Sequence, residues 1–141
     1  MKITCITVGK VKEKFYQQAI AEFQKRLSKY IKLERQIKDT EGERILKHIR
    51  EKDYVIALAI EGKMMDSLEF SRKLEDLGIN GTGRLVFVIG GSLGLSESVL
   101  KRSDEKLSFS RMTFPHQLMR VILLEQIYRG FRIMHGEPYH K

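Results

Sequence analysis

Two stretches of this chain are apolar almost without a break: Asp53-Tyr54-Val55-Ile56-Ala57-Leu58-Ala59-Ile60 and Leu85-Val86-Phe87-Val88-Ile89. Each has the length of a strand, and neither alternates, so each reads as a central strand covered on both faces. Covering both faces requires helices between the strands, and the rest of the chain supplies them. Lys2 to Val8 alternates around Ile3, Ile6 and Val8 and reads as a first strand. Phe15, Ala19, Phe23, Leu27 and Tyr30 recur at helical spacing. Leu33 to Ile37 reads as a short, charged edge strand, and Glu41 to Ile49 as a helix. Asp66 or Ser67 is placed to cap a helix carrying Leu68, Phe70, Leu74 and Leu77 and stopping at Gly78. A short helix from about Ser96, a strand ending near Leu107 and a long helix from His116 to Met134 complete the alternation. The fold class is therefore α/β, a mainly parallel sheet with helices on both faces, in one domain over residues 1–141.

Charge and cysteine content narrow the partners. The chain carries 26 basic and 18 acidic residues, a net charge of +8. A positive field of that size on a small domain suits a polyanion, and no membrane-type amphipathic helix is evident, so nucleic acid is expected over a membrane. No apolar run reaches spanning length, and the N-terminus lacks a targeting core, so a cytoplasmic protein is expected. The single cysteine, Cys5, excludes an internal disulfide and a cysteine zinc cluster, and no metal is expected.

Ligands of open parallel sheets bind beyond the carboxyl ends of the strands. Three strands here run into loops of unusual chemistry: Glu61-Gly62-Lys63, Gly90-Gly91-Ser92-Leu93-Gly94, and Ser108 to Pro115. Glycines admit close approach to the backbone; Ser108, Ser110 and Thr113 offer hydroxyls; Leu58, Ile60, Phe109, Met112 and Phe114 offer apolar walls. That mixture suits a flat ligand with polar edges, such as adenine. The phosphate-binding motifs are absent: Gly90 to Gly94 is not GxGxxG, and Gly62-Lys63 is followed by Met64 rather than Ser or Thr. The glycine run equally suits a tight strand-to-helix turn with no ligand.

The helix from His116 is apolar on almost every face, so its outer side needs cover, from a second copy in a homodimer or from the N-terminal part of the same chain. His116 reads as a polar first-turn residue or a buried hydrogen-bonded histidine, in preference to an active-site residue. Glu125, set among Ile122, Leu123, Leu124 and Ile127, reads as half of an ion pair with Arg129 or Arg120. Beyond lie Arg129, Arg132, His135, Tyr139, His140 and Lys141, a basic tail with an aromatic interleaved. Such residues suit phosphates and unpaired bases.

Phe87 to Leu95, Leu107-Ser108-Phe109-Ser110-Arg111-Met112-Thr113-Phe114-Pro115-His116, Leu124 to Arg129 and the closing Pro138-Tyr139-His140 closely resemble the bacterial large-subunit ribosomal RNA pseudouridine N3-methyltransferases. Met1 to Lys10 fits as well, so the resemblance covers nearly the whole chain. It implies an S-adenosylmethionine-dependent enzyme of the SPOUT class, α/β with a C-terminal trefoil knot, working as a homodimer on ribosomal RNA in the ribosome. The cofactor residues it implies are Leu58, Gly90, Phe109, Ser110, Arg111, Met112, Thr113 and Phe114. In the matching tail, His140, Tyr139 and Arg132 are the implied catalytic residues, with Lys10, Arg129, Arg132, Tyr139, His140 and Lys141 toward RNA. One departure stands out: relatives carry a longer, charged connection where this chain has only Lys38-Asp39-Thr40. The competing reading is a non-catalytic basic RNA-binding protein with a structural glycine loop, which predicts salt-sensitive RNA affinity and no cofactor binding.

Overall fold

The computed structural model describes residues 1–34, 37–39, 42–91 and 94–141, with backbone only at 37–39, 42 and 43. Its elements, in order, are β1 (Lys2–Val8), α1 (Lys14–Leu27), β2 (Lys32–Leu33), β3 (Ile37–Asp39), α2 (Gly42–Ile45) with a 3-10 turn at Leu46–His48, β4 (Tyr54–Met64), α3 (Ser67–Ile79), β5 (Arg84–Ile89), α4 (Glu97–Arg102), β6 (Glu105–Ser108) and α5 (His116–Met134). The strands form one sheet in the order β2-β1-β5-β4-β6, with β3 also paired to β1. Every strand pairing among the described residues is parallel, so all the strands end at one edge.

The two unbroken apolar stretches are β4 and β5, beside each other in the centre, and all of β5 is buried. One sheet face carries Ile3, Cys5, Leu58 and Phe87 against α1, α3 and α5. The other carries Ile6, Val86 and Val88 against Ile45 of α2 and Val99 of α4. Helices thus cover both faces, as the absence of alternation requires.

Five sequence expectations are adjusted. The strand over Leu33 to Ile37 is two short pieces, β2 and β3, each alongside β1; Arg35 and Gln36 lie outside the described residues. The helix over Glu41 to Ile49 is one α turn followed by one 3-10 turn, with Glu41 outside the described residues. In the connection at 38–40, Lys38 and Asp39 belong to β3, and Thr40 is outside the described residues. Helix α3 runs through Gly78 to Ile79, because the left-handed residue that ends it is Gly81, at φ +85. Helix α1 and the turn after it face Phe23, Leu27 and Tyr30 of the expected stripe to the core and add Tyr16 and Ile20 to it, whereas Phe15 is exposed.

At its other terminus α3 is capped as expected: Asp66 accepts from the Glu69 amide at 2.7 Å, and Glu69 accepts from the Asp66 amide at 3.1 Å. The last helix lies between α1 and α3 across the sheet. Its inner residues Leu123, Leu124, Ile127 and Phe131 are buried, and its outer Leu118, Val121 and Ile122 are half-buried. Much of its cover therefore comes from its own chain.

At the amino edge of the sheet, Arg84 opens β5 with its charge fully answered. It donates to Asp53 through Nε at 3.0 Å and Nη2 at 2.6 Å, to Glu34 at 3.1 Å and to the His48 carbonyl at 2.6 Å. Thr4 donates to the same Glu34 carboxylate at 2.6 Å. Side chains from β1, from β5, from the residue after β2 and from the residue before β4 are tied in one largely buried network.

Candidate active site

A cleft of about 500 Å³ opens beyond the carboxyl ends of β4, β5 and β6. That volume lies within the range of small-molecule sites, roughly 300–1,000 Å³. Its first wall comes from an irregularity in β4. Leu107 of β6 is opposite both Leu58 and Lys63, so residues 59–62 bulge out of the ladder. Ala59, Ile60 and Glu61 of the bulge line the cleft with Leu58. Gly62 closes the bulge onto β6, where a Cβ would stand 2.7 Å from the Lys106 carbonyl carbon.

The second wall is the glycine turn after β5. Ile89, Gly90, Gly91 and Gly94 line it. A Cβ on Gly90 would meet the Gly94 backbone at 2.7 Å, and Gly94 takes φ +78, so neither position accepts a side chain. Ser92 and Leu93 lie outside the described residues. The third wall is the loop from Ser108 to Phe114, held by its own hydroxyls: Ser108 Oγ donates to the Ser110 carbonyl at 3.0 Å, and Ser110 Oγ accepts from the Met112 amide at 2.9 Å.

Of the residues expected at a cofactor, Leu58, Gly90, Phe109, Ser110, Met112, Thr113 and Phe114 line this cleft, and Arg111 is exposed and outside the lining. His116 also lines it, half-buried, rather than serving only as a first-turn residue; Met119 lines it one turn on. The placement of His116 and Met119 follows from how α5 docks against the sheet, which no local pattern carries. The lining offers backbone amides, carbonyls, hydroxyls and apolar walls, which fits an adenosine-type cofactor better than a phosphate-rich nucleotide.

A second, polar cluster sits halfway along α5. Arg129 Nη2 donates to Glu125 at 2.7 Å, which is the ion pair expected within the helix; Arg120 takes no part in it. Tyr139 donates to the same carboxylate at 2.8 Å, with its ring edge-on to Tyr128 at 4.9 Å and Arg129 over it at 4.7 Å. Burial and then the Glu125 carboxylate raise the Tyr139 phenol above its ordinary value, and the Glu125 hydrogen bond raises Arg129. Arg129 Nη1 stands 3.1 Å from Nδ1 of the exposed His140. Because a guanidinium only donates, Nδ1 accepts and the His140 proton sits on Nε2, pointing away.

Arg132 is engaged differently. It donates to Glu137 at 2.5 Å, to Tyr30 at 3.0 Å and to the Pro138 carbonyl at 2.9 Å, and Tyr30 donates to Glu137 at 2.7 Å. Its donors hold the tail against α5, so it positions Tyr139 and His140. Lys10 and Lys141 are exposed. None of the tail residues lines the cleft of its own chain.

A parallel sheet with helices on both faces, a glycine-walled cleft at its carboxyl edge and a basic tail define a small open-sheet α/β protein with its ligand site beyond the strand ends. The family model described as "Predicted SPOUT methyltransferase" matches residues 1–140, and the chain belongs to that family. It is 58% identical over 159 aligned positions to the ribosomal RNA large subunit methyltransferase H of Bifidobacterium adolescentis, and 54% identical to that of Enterococcus faecalis, with all of each chain covered. Those alignments are longer than the 141 residues here, so the relatives hold positions that this chain lacks. In fold it matches a "probable methylase family protein" from Haemophilus influenzae Rd KW20, with TM-score 0.63, 9% identity, and 99% of this chain and 70% of that one covered. A methyltransferase from Bordetella pertussis Tohama I, also described as probable, matches with TM-score 0.61, 11% identity, and coverage of 91% and 95%. Among the described residues no helix is long and apolar enough to cross a membrane, and no group of three or more His, Cys, Asp or Glu is arranged to hold a metal ion.

Proposed function

We propose that this protein is an S-adenosylmethionine-dependent methyltransferase acting on N3 of a pseudouridine in large-subunit ribosomal RNA, in the cytoplasm and on the assembled ribosome. The observation that carries the reading is the cleft: its walls come from the loops to which the family resemblance assigns the cofactor, on a chain 58% identical to a ribosomal RNA large subunit methyltransferase. The trefoil knot belongs to the same proposal. It is supported by the return of the chain from edge strand β6 to lay α5 across the middle of the sheet.

Bound S-adenosylmethionine supplies an electrophilic methyl group on a sulfonium. Leu58, Gly90 and the 109–114 loop hold and orient that ligand, which is most of what an in-line displacement requires. The acceptor nitrogen must lose its proton. In this geometry Tyr139, raised and bonded to Glu125, keeps its proton, and His140 Nδ1 is occupied by Arg129. His140 therefore serves as a donor: its Nε2–H and the Arg129 charge stabilise negative charge on the carbonyl oxygens beside N3, and the N3 proton passes to solvent. Because the tail does not line its own cleft, we place it at the cleft of a second copy in a homodimer, which the half-buried outer side of α5 supports.

The test is calorimetric titration of S-adenosylmethionine with solution mass recorded, followed by methylation of ribosomes lacking the modification. Micromolar binding by a dimer and methylation at N3 are expected. Salt-sensitive RNA affinity with no cofactor binding would instead establish a non-catalytic RNA-binding protein. Unchanged turnover in His140→Ala would remove His140 from the reaction.

A further inference from the structure

The segment that leaves β1 carries three exposed cations and an exposed ring outside the cleft. It reads Lys10-Val11-Lys12-Glu13-Lys14-Phe15. Val11 is buried, and Lys10, Lys12 and Lys14 are exposed. None of these lysines has an ion pair or a side-chain hydrogen bond among the described residues. Phe15 is 63% exposed at the start of α1, its ring 4.3 Å from that of Tyr16. A single exposed ring is ordinary on its own. This one is set among three unpaired cations.

The segment is also held in place. Gln117 Nε2 donates to the Lys10 carbonyl at 3.0 Å, and Gln17 Nε2 donates to the Val11 carbonyl at 2.7 Å. One bond comes from α5 and the other from α1, so the backbone is fixed before anything binds, and little ordering remains to be done on binding. The segment starts at the cleft. A Cβ on Gly9 would lie 3.8 Å from Nε2 of His116, and a Cβ on Gly91 would lie 3.2 Å from Cγ1 of Val8; His116 and Gly91 both line the cleft.

Charge selects the partner. The chain carries +8 overall, and Glu13 is the one acid between Lys10 and Phe15, so a second copy brings like charge on balance. A single RNA strand brings phosphates to the lysines and an unpaired base to the ring.

We infer that Lys10, Lys12, Lys14 and Phe15 form a docking platform for a single-stranded stretch of the ribosomal RNA, with Phe15 stacked on an unpaired base beside the target and the lysines on its phosphates. The inference deepens the ribosomal RNA reading above and rests on it.

The test measures binding to ribosomes lacking the modification as a function of salt, with methylation kinetics, S-adenosylmethionine affinity and solution mass recorded for each variant. Phe15→Ala and Phe15→Leu are expected to weaken ribosome binding about 5- to 100-fold, the worth of one stacked base, and Phe15→Trp to stay within about 2-fold of wild type. The loss should fall on KM rather than kcat, with cofactor affinity within about 2-fold. Lys12→Gln and Lys14→Gln should each lower the slope of log affinity against log salt by about 0.7. Unchanged ribosome binding in Phe15→Ala, full affinity in Phe15→Leu, or an unchanged salt slope in both lysine variants would overturn the inference and leave the methyltransferase reading standing. A fall in solution mass in Phe15→Ala would give the ring to a second copy and overturn it likewise. Wild-type protein that binds the cofactor but neither binds nor methylates ribosomes overturns the ribosomal reading, and the inference with it.

Discussion

The two edges of the sheet treat charge in opposite ways. At the amino edge Arg84 is met by Asp53, Glu34 and a carbonyl, and every charge is answered from within the chain. Beyond the carboxyl edge Lys10, Lys12 and Lys14 stand exposed with no ion pair among the described residues, next to a cleft walled by glycines. An answered charge fixes strands in place. An unanswered one is left for a ligand or partner to meet. The amino edge is built to stay as it is, and the carboxyl edge to receive something.

The sharpest way to break this comparison is Arg84→Met. It takes from Asp53 and Glu34 the guanidinium that binds both, and removing one partner of a buried pair costs about 3–5 kcal/mol. Urea denaturation should show that loss, while cofactor affinity of the folded fraction stays within about 2-fold. A comparable loss of affinity would mean the edges are not separable. The same network sets acid stability. The Thr4 hydrogen bond holds Glu34 below its ordinary value, against burial and with help from Arg84. Burial pushes Asp53 up, but the bonds from Arg84 and the Arg50 amide outweigh it, and the carboxyl titrates low. Depressed carboxylates contribute stability that is full above the unfolded values, near pH 4, and that fades as pH falls through the folded ones. Wild type should therefore lose stability below about pH 4, and Arg84→Met should flatten that limb.

The difference between the edges also marks what the sequence alone conveys. Val55 to Ile60 and Leu85 to Ile89 announce a doubly covered sheet because their lack of alternation has one physical meaning. The cleft loops are legible for the same reason, since glycine runs and clustered hydroxyls are local signals. The Arg84 network is not, because Glu34, Asp53 and Arg84 are brought together by strand order. Nor is the burial of Arg120: on sequence it is one more cation on a helix, a partner for Glu125, and only the rotation of α5 over Cys5 shows otherwise. The start of α1 is misread similarly, with Phe15 outside and Ile20 inside, although Phe23 and Leu27 face the core as their spacing predicts.

A smaller effect sharpens the comparison at the cleft. Gly90→Ala puts a methyl 2.7 Å from the Gly94 backbone, and overpacking of that kind costs about 1–3 kcal/mol. Gly62→Ala meets the Lys106 backbone at the same distance. Both should lower thermal stability. The expected difference is that cofactor at saturating concentration rescues wild type by several degrees and rescues Gly90→Ala by far less, because the displaced turn is the wall itself.

The smallest expected effect lies between the edges, where α5 crosses α3. Gly130 is the contact: Ser71 Oγ donates to its carbonyl at 2.7 Å, and a Cβ there would stand 3.0 Å from Leu74 Cδ1 and 3.5 Å from Ser71 Cα. Replacing glycine by alanine within a helix gains up to about 1 kcal/mol of propensity. The steric term opposes it, and Leu74 is buried, so its methyl has little room to move. Gly130→Ala should therefore end less than about 1 kcal/mol less stable than wild type. A stabilised variant would show that the helix crossing yields where the sheet edges do not. A loss of several kcal/mol would show that the α3–α5 contact is as unyielding as the Arg84 network, and that the tail cluster on Glu125 and Arg129 rests on a rigid helix.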